Sequence, residues 1–258
     1  MWRLLGAWGF SLVLGGILID LARRRGYVAR NFQGTPVPMI GGLVLMFTVG
    51  LGTVVLGGDH HGAAVLLLVG TLGIMDDLLG DGEYRGIGGH LRALGSGVIT
   101  SGLLKALLGL LVALGVAARH TSSWGALFMD TLLFALSVNL VNLLDLRPGR
   151  AVKFSFLVLL PLLARQWDLS LLLLGALLGY VLYDLRGWAM LGDGGANFLG
   201  GALGYLLLGC SRGVKLGWLI GLLGIHLLTE RYSLSQIIRK NSLLRFLDNL
   251  GRCPRLRE

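Results

Sequence analysis

Nine apolar runs of roughly helix length divide this chain, at about residues 4–22, 37–57, 62–79, 97–118, 124–145, 151–164, 169–184, 195–211 and 214–229. Judged against the ~20 residues that an α-helix needs to cross a bilayer, they predict nine transmembrane helices, give or take one. The runs at 151–164 and 169–184 are short, so that hairpin is open to merging, tilting or partial insertion. The expected fold class is all-α: a polytopic transmembrane bundle over residues 1–230, then a polar tail over 231–258. The first run could be mistaken for a cleaved signal peptide, but no small-residue cleavage pattern follows it and Arg23, Arg24 and Arg25 do, which predicts a retained helix. From Ser233 onward, Ile237, Ile238, Leu244, Leu247 and Leu250 fall roughly on one side and Arg239, Lys240 and Arg245 elsewhere, the pattern of an interfacial amphipathic helix. Asn241 and Ser242 interrupt it and are expected to cap a second short helix.

Composition excludes a soluble globule. Of 258 residues, 54% are hydrophobic and only 14% charged, too little polar surface to wrap a water-soluble core. The net charge of +9 would suit nucleic acid, but the basic residues sit in short loops between apolar runs, which argues for topology and against a nucleic-acid partner. With nine spans, 17 of the 23 Lys and Arg residues share the side of the odd-numbered loops and the tail, five lie opposite, and Lys105 falls within a run. That side is predicted to be cytoplasmic and the N-terminus outside, in a multi-pass protein of the cytoplasmic membrane. Glycine reaches 42 residues, and the pairs Gly175/Gly179, Gly200/Gly204 and Gly217/Gly221 have the spacing that lets helices approach closely, although so glycine-rich a sequence also yields such pairs by chance. Cys210 and Cys253 are expected on opposite faces and unpaired.

The odd-numbered loops hold nearly all the unusual polar residues. Asp76 and Asp77 stand side by side at the end of an apolar run, where adjacent carboxylates resist joint ionisation unless a divalent metal or a strong donor set holds both charged. In the loop before them, Gly34, Thr35 and Pro36 lead into Gly41 and Gly42; glycine and proline there suit either an ordinary tight loop or one whose backbone approaches a phosphate. Downstream of the acid pair come Arg85, His90 and Arg92, of which His90 suits a structural interfacial role as readily as a functional one. Asn139, Asn142 and Asp145 recur at intervals of three on one helical face, a stripe that is expensive inside a membrane unless it meets a polar site. Arg147, Arg150 and Lys153 follow, suited to a diphosphate or lipid phosphate, or to positive-inside anchoring. Asp193 lies among glycines at a helix entry, where backbone N–H groups meet an anion while a carboxylate holds a metal or caps the helix.

In order, these segments resemble the polyprenyl-phosphate N-acetylhexosamine-1-phosphate transferases, glycosyltransferase family 4, which include phospho-N-acetylmuramoyl-pentapeptide transferase. The likeness is carried by Gly34-Thr35-Pro36 with Gly41-Gly42, by Asp76-Asp77, by Asn139 to Asp145, and by Leu191-Gly192-Asp193-Gly194-Gly195. It implies transfer of a sugar 1-phosphate from a UDP-N-acetylhexosamine to undecaprenyl phosphate, with release of UMP, for cell-envelope glycan synthesis. It also implies Mg²⁺ as cofactor, a site at the cytoplasmic face, membrane lipids as partners, and leaves room for a homodimer. By matching position, Asp193 would be the metal ligand, and Asp76 and Asp77 would bind metal or activate the acceptor phosphate. Asn139, Asn142 and Asp145 would contact nucleotide or metal, with Arg147, Lys153, Gly34, Thr35, Pro36 and His90 on the substrates.

The chain also departs from that pattern. Where the family places a second aspartate after Asp145, this sequence has Pro148, and Asp184 stands where members often carry Asn. The His-rich loop of the muropeptide enzyme has no counterpart, which argues against a pentapeptide substrate. These changes leave a second expectation standing: a non-catalytic membrane relative that binds lipid phosphate or nucleotide as a scaffold.

Overall fold

The computed structural model describes residues 1–79, 101–121, 123–164 and 166–257, and His90 lies outside them. Nine helices occur at the positions of the nine apolar runs among the described residues: α1 (Trp2–Arg25), α2 (Gly41–Leu56), α3 (His60–Leu79), α4 (Ser101–Ala118), α5 (Trp124–Leu144), α6 (Arg150–Leu162), α7 (Trp167–Leu185), α8 (Gly192–Leu208) and α9 (Arg212–Arg231). Five of them, α1, α3, α5, α7 and α9, are long and apolar enough to cross a membrane by length and composition. The run expected as helix from 37 begins helically only at Gly41. Pro36 and Pro38 lie in a strand instead, β2 (Pro36–Pro38), which pairs antiparallel with β1 (Val28–Arg30) in the register Ala29 to Val37. Proline lacks the N–H that a helix interior requires and tolerates an edge strand.

The hairpin tip is shaped by its own side chains. Asn31 Oδ1 accepts from the backbone N–H groups of Gln33 and Thr35, each at 2.9 Å, and Gly34 takes φ +77°. An asparagine that mimics a backbone turn, followed by a glycine in the left-handed region, is enough to close this loop. The hairpin is then stitched to the segment before α8: Met190 N–H donates to Pro38 O at 2.8 Å, and Gly41 and Gly42 N–H donate to the carbonyls of Met190 and Leu191.

Helix α8 is the buried axis of the bundle, with 16 of its 17 residues inaccessible. Glycine lets its neighbours reach its backbone. A Cβ on Gly42 of α2 would lie 2.7 Å from the Gly195 nitrogen, and one on Gly73 of α3 would strike the Asp193 carbonyl. Gly200 and Gly204 meet α5 at Val138 and Phe134, and Gly175 and Gly179 of α7 meet α1 at Ala7 and Ser11. Small residues at crossings allow close backbone packing where no hydrophobic driving force between helices exists. The third pair, Gly217/Gly221, faces open space with nothing within 4 Å, so it makes no crossing among the described residues.

A buried ion pair ties α9 to α5: Lys215 Nζ lies 2.9 Å from both carboxylate oxygens of Asp130, which is fully buried. The tail forms α10 (Leu234–Lys240) and α11 (Ser242–Asn249), and Asn241 caps α11 by accepting from Leu244 N–H at 3.0 Å, the break expected at that position. Leu243, Phe246, Leu247 and Leu250 are exposed, while Asp248 on the same helix is buried. Cys210 and Cys253 are both free thiols.

Adding a methyl at Gly73 must displace α3 from the Asp193 backbone. Gly73→Ala is expected to destabilise the protein by about 1–3 kcal/mol, the ordinary range for overpacking, whereas Gly217→Ala changes stability by less than ~0.5 kcal/mol. Heat- or denaturant-induced loss of ellipticity in detergent checks both, and an unperturbed Gly73→Ala contradicts the packing described.

Candidate functional site

The site grows out of an unmet requirement at the start of α8. The first N–H groups of any helix lack intrahelical acceptors and carry partial positive charge. Here Leu191 at the N-cap position supplies no side-chain acceptor. Asp77, at the end of α3, does so from across the helix pair: its Oδ1 accepts from Asp193 N–H and its Oδ2 from Gly194 N–H, both at 3.0 Å. Asp145, just beyond the end of α5, accepts from the backbone of Gly192. Gly192 takes φ +72°, a conformation open to glycine, and its tight turn delivers three successive N–H groups to two carboxylates.

Those carboxylates frame a cavity of about 360 Å³ at the hairpin end of the bundle, lined by Asp77, Asp145, Asp184 and Asp193 together with Arg30, Asn31, Phe32, Arg147 and Pro148. The guanidinium of Arg147 stacks over the Phe32 ring at 4.5 Å, holding a cation at the cavity edge. Asp184 Oδ2 accepts from Gly149 N–H at 2.8 Å and so joins α7 to the turn after α5. Burial pushes the Asp145 carboxyl well above its ordinary range, and the charges of Asp184, Asp193 and Asp77 push the same way; the Gly192 N–H pulls it back in part.

This donor set suits Mg²⁺, which is characteristically held by one or two carboxylates with substrate phosphates and waters completing the shell. Among the described residues no three His, Cys, Asp or Glu side chains are gathered to chelate a metal unaided. Four carboxylates around one cavity, Asp145 among them pushed toward its neutral form by burial and by its neighbours, are nevertheless offset by an added cation. Asp193 and Asp145 are the residues that would hold it.

A second cavity of about 470 Å³ opens between α3, α4, α5 and α8. Leu72, Leu110, Phe134 and Leu136 make it apolar, and Asn139, Asn142 and Asn197 line it too. The Oδ1 atoms of Asn142 and Asn197 are buried and accept no hydrogen bond among the described residues.

The structure sorts the expected site residues into distinct places. Asp77, Asp145, Arg147 and Asp193 meet at the first cavity, whereas Asn139 and Asn142 line the second. Asp76 lines neither, because consecutive residues on a helix point in different directions. Gly34, Thr35 and Pro36 form the exposed hairpin tip outside the cavity lining; the hairpin contributes Arg30, Asn31 and Phe32 instead. Lys153, expected on a phosphate, donates to the carbonyls of Leu247, Asp248 and Leu250 in the tail, and Arg150 pairs with Asp248. Asp184 is the cavity carboxylate that the sequence reading did not place there, although its standing where the resembled family often carries Asn was the available signal. No protein-family model matches the chain, and no curated protein matches it either.

Protonation of Asp145 competes with a cation. Since its carboxyl is raised, the affinity for Mn²⁺, used as a paramagnetic probe, is expected to climb as pH increases through that raised value. Asp145→Asn is expected to remove this step. Electron paramagnetic titration from about pH 5 to 9 measures it, and a pH-independent affinity in the unaltered protein contradicts the assignment.

Proposed function

We propose that this protein is a Mg²⁺-dependent sugar-phosphate transferase of the cytoplasmic membrane, with nine spans, its N-terminus outside and its carboxylate cavity at the cytoplasmic face. It transfers N-acetylhexosamine 1-phosphate from a UDP-sugar to undecaprenyl or another polyprenyl phosphate. The observation that carries this reading is the meeting of Asp77, Asp145 and Asp193, contributed by three separate motif segments, around one cavity edged by Arg30 and Arg147.

In this reaction an oxygen of the acceptor phosphate forms a bond to the β-phosphorus of the UDP-sugar. The bond between that phosphorus and the bridging oxygen breaks, and UMP leaves with the bridging oxygen. Asp193 and Asp145 would hold Mg²⁺, which would supply neutralisation of the diphosphate charge. Arg30 and Arg147 attract the phosphates to the cavity, and Asp77, by bonding the start of α8, keeps Asp193 in register with Asp145. The apolar second cavity offers the acceptor chain a place at membrane depth, with the carboxamides of Asn142 and Asn197 presenting acceptor atoms to a donor.

Pro148 favours a second reading, a scaffold that binds nucleotide or lipid phosphate without turnover, because no side-chain carboxylate stands at that position. UMP release from UDP-N-acetylhexosamines in the presence of polyprenyl phosphate and Mg²⁺ separates the two. Release that falls about 100-fold or more in Asp193→Asn, the scale of losing one electrostatic element of a transition state, is the expected result. Full activity in Asp193→Asn sinks the metal assignment; saturable binding of several UDP-sugars with no UMP released favours the scaffold.

A further inference from the structure

The C-terminal tail meets three segments that carry the carboxylate cavity: the hairpin, the turn after α5 and the end of α7. Arg252, 1% exposed, is the largest of the fully buried side chains among the described residues, although it lies in an irregular stretch after α11. Its guanidinium reaches in three directions: Nε to Pro148 O at 3.0 Å, Nη2 to Asp248 Oδ1 at 2.9 Å, and Nη1 to Asn249 Oδ1 at 3.3 Å. Asp248 is also held by Arg150, whose Nε and Nη2 lie 2.9 and 3.0 Å from its two oxygens. Burial pushes the Asp248 carboxyl up, but these two arginines outweigh it and keep it below its ordinary value, so the cluster stays charged. Beyond Arg252, Cys253 N–H donates to Leu185 O at 3.0 Å, Leu256 packs against Gly187, and Arg255 O accepts from Gln33 Nε2 in the hairpin at 3.0 Å.

One peptide unit joins these contacts to the site. The carbonyl of Pro148 is bonded by Arg252, and the N–H of the same Pro148–Gly149 peptide is bonded by Asp184. With both of its polar groups engaged, that peptide has a fixed plane, and the turn on which Asp145 and Arg147 stand is fixed with it. A planar guanidinium reaches several acceptors at fixed angles, and a flexible ammonium cannot reproduce that geometry.

We infer that the tail is a built support of the cavity and that Arg252 is its positioning residue, acting through the Pro148 carbonyl on Asp145. This rests on the proposed function only in treating the cavity as the place of reaction; the clamp itself is a property of the unliganded chain. Hydrogen–deuterium exchange of the full-length protein in detergent tests it. In Arg252→Ala, exchange is expected to accelerate about tenfold or more at Gly149 as well as in residues 242–257, and Mn²⁺ binding is expected to weaken about tenfold, the usual effect of losing an outer-shell partner. Arg252→Lys keeps the charge beside Asp248 while losing the three-way reach, so it should retain the fold and show an intermediate effect at Gly149; it decides the matter if the alanine variant does not fold. Faster exchange confined to 242–257, with Gly149 and Mn²⁺ binding unchanged, overturns the inference. Absence of UMP release from the unaltered protein tells against the transfer reading alone, since the exchange measurement requires no substrate.

Discussion

The N–H groups of Gly192, Asp193 and Gly194 begin a helix that is buried along almost its whole length, and no side chain at the helix's own N-cap satisfies them. Asp77 and Asp145 meet that demand from two other helices, each giving carboxylate oxygens to the positive end of the helix dipole. The arrangement holds α3, α5 and α8 in one register. It also concentrates negative charge where Asp193 and Asp184 already stand, so the device that completes the helix start also makes the cavity acidic.

Close backbone approach makes this geometry attainable. Carboxylates are short, and Asp77 reaches the α8 backbone because Gly73, one turn earlier, lets the two helices touch. The same reasoning separates the glycine pairs. Those at 175/179 and 200/204 stand at crossings, while 217/221 looks onto open space, although all three have one spacing. Spacing shows that a close crossing is possible, and the neighbour's position shows whether one is made.

Basic residues show a comparable division of labour. Arg30 and Arg147 edge the cavity, but Arg150 and Lys153, only a few residues further on, are engaged by the tail. A sequence count treats all of them as positive charge beside a carboxylate cluster. In the fold, the first two line the cavity and the last two hold an element that reaches back over the Pro148 turn.

Run length and local polarity were enough to place the nine apolar helices and the break in the tail at Asn241 and Ser242, while the charge count of the loops and the family resemblance made Asp77, Asp145 and Asp193 candidates for one site. Hydrophobic run length and the unfavourable energy of polar groups beside apolar segments are local properties, legible without coordinates. Helix packing was needed to show which member of the Asp76–Asp77 pair reaches the cavity, that Asp184 joins it, and that Asn139 and Asn142 turn toward a separate apolar cavity. Packing likewise assigned Lys215 as the partner of Asp130 and Arg252 as the partner of the Pro148 carbonyl. These depend on how helices rotate and cross, and residues 85 or 104 positions apart in the chain carry no local signal that they will meet.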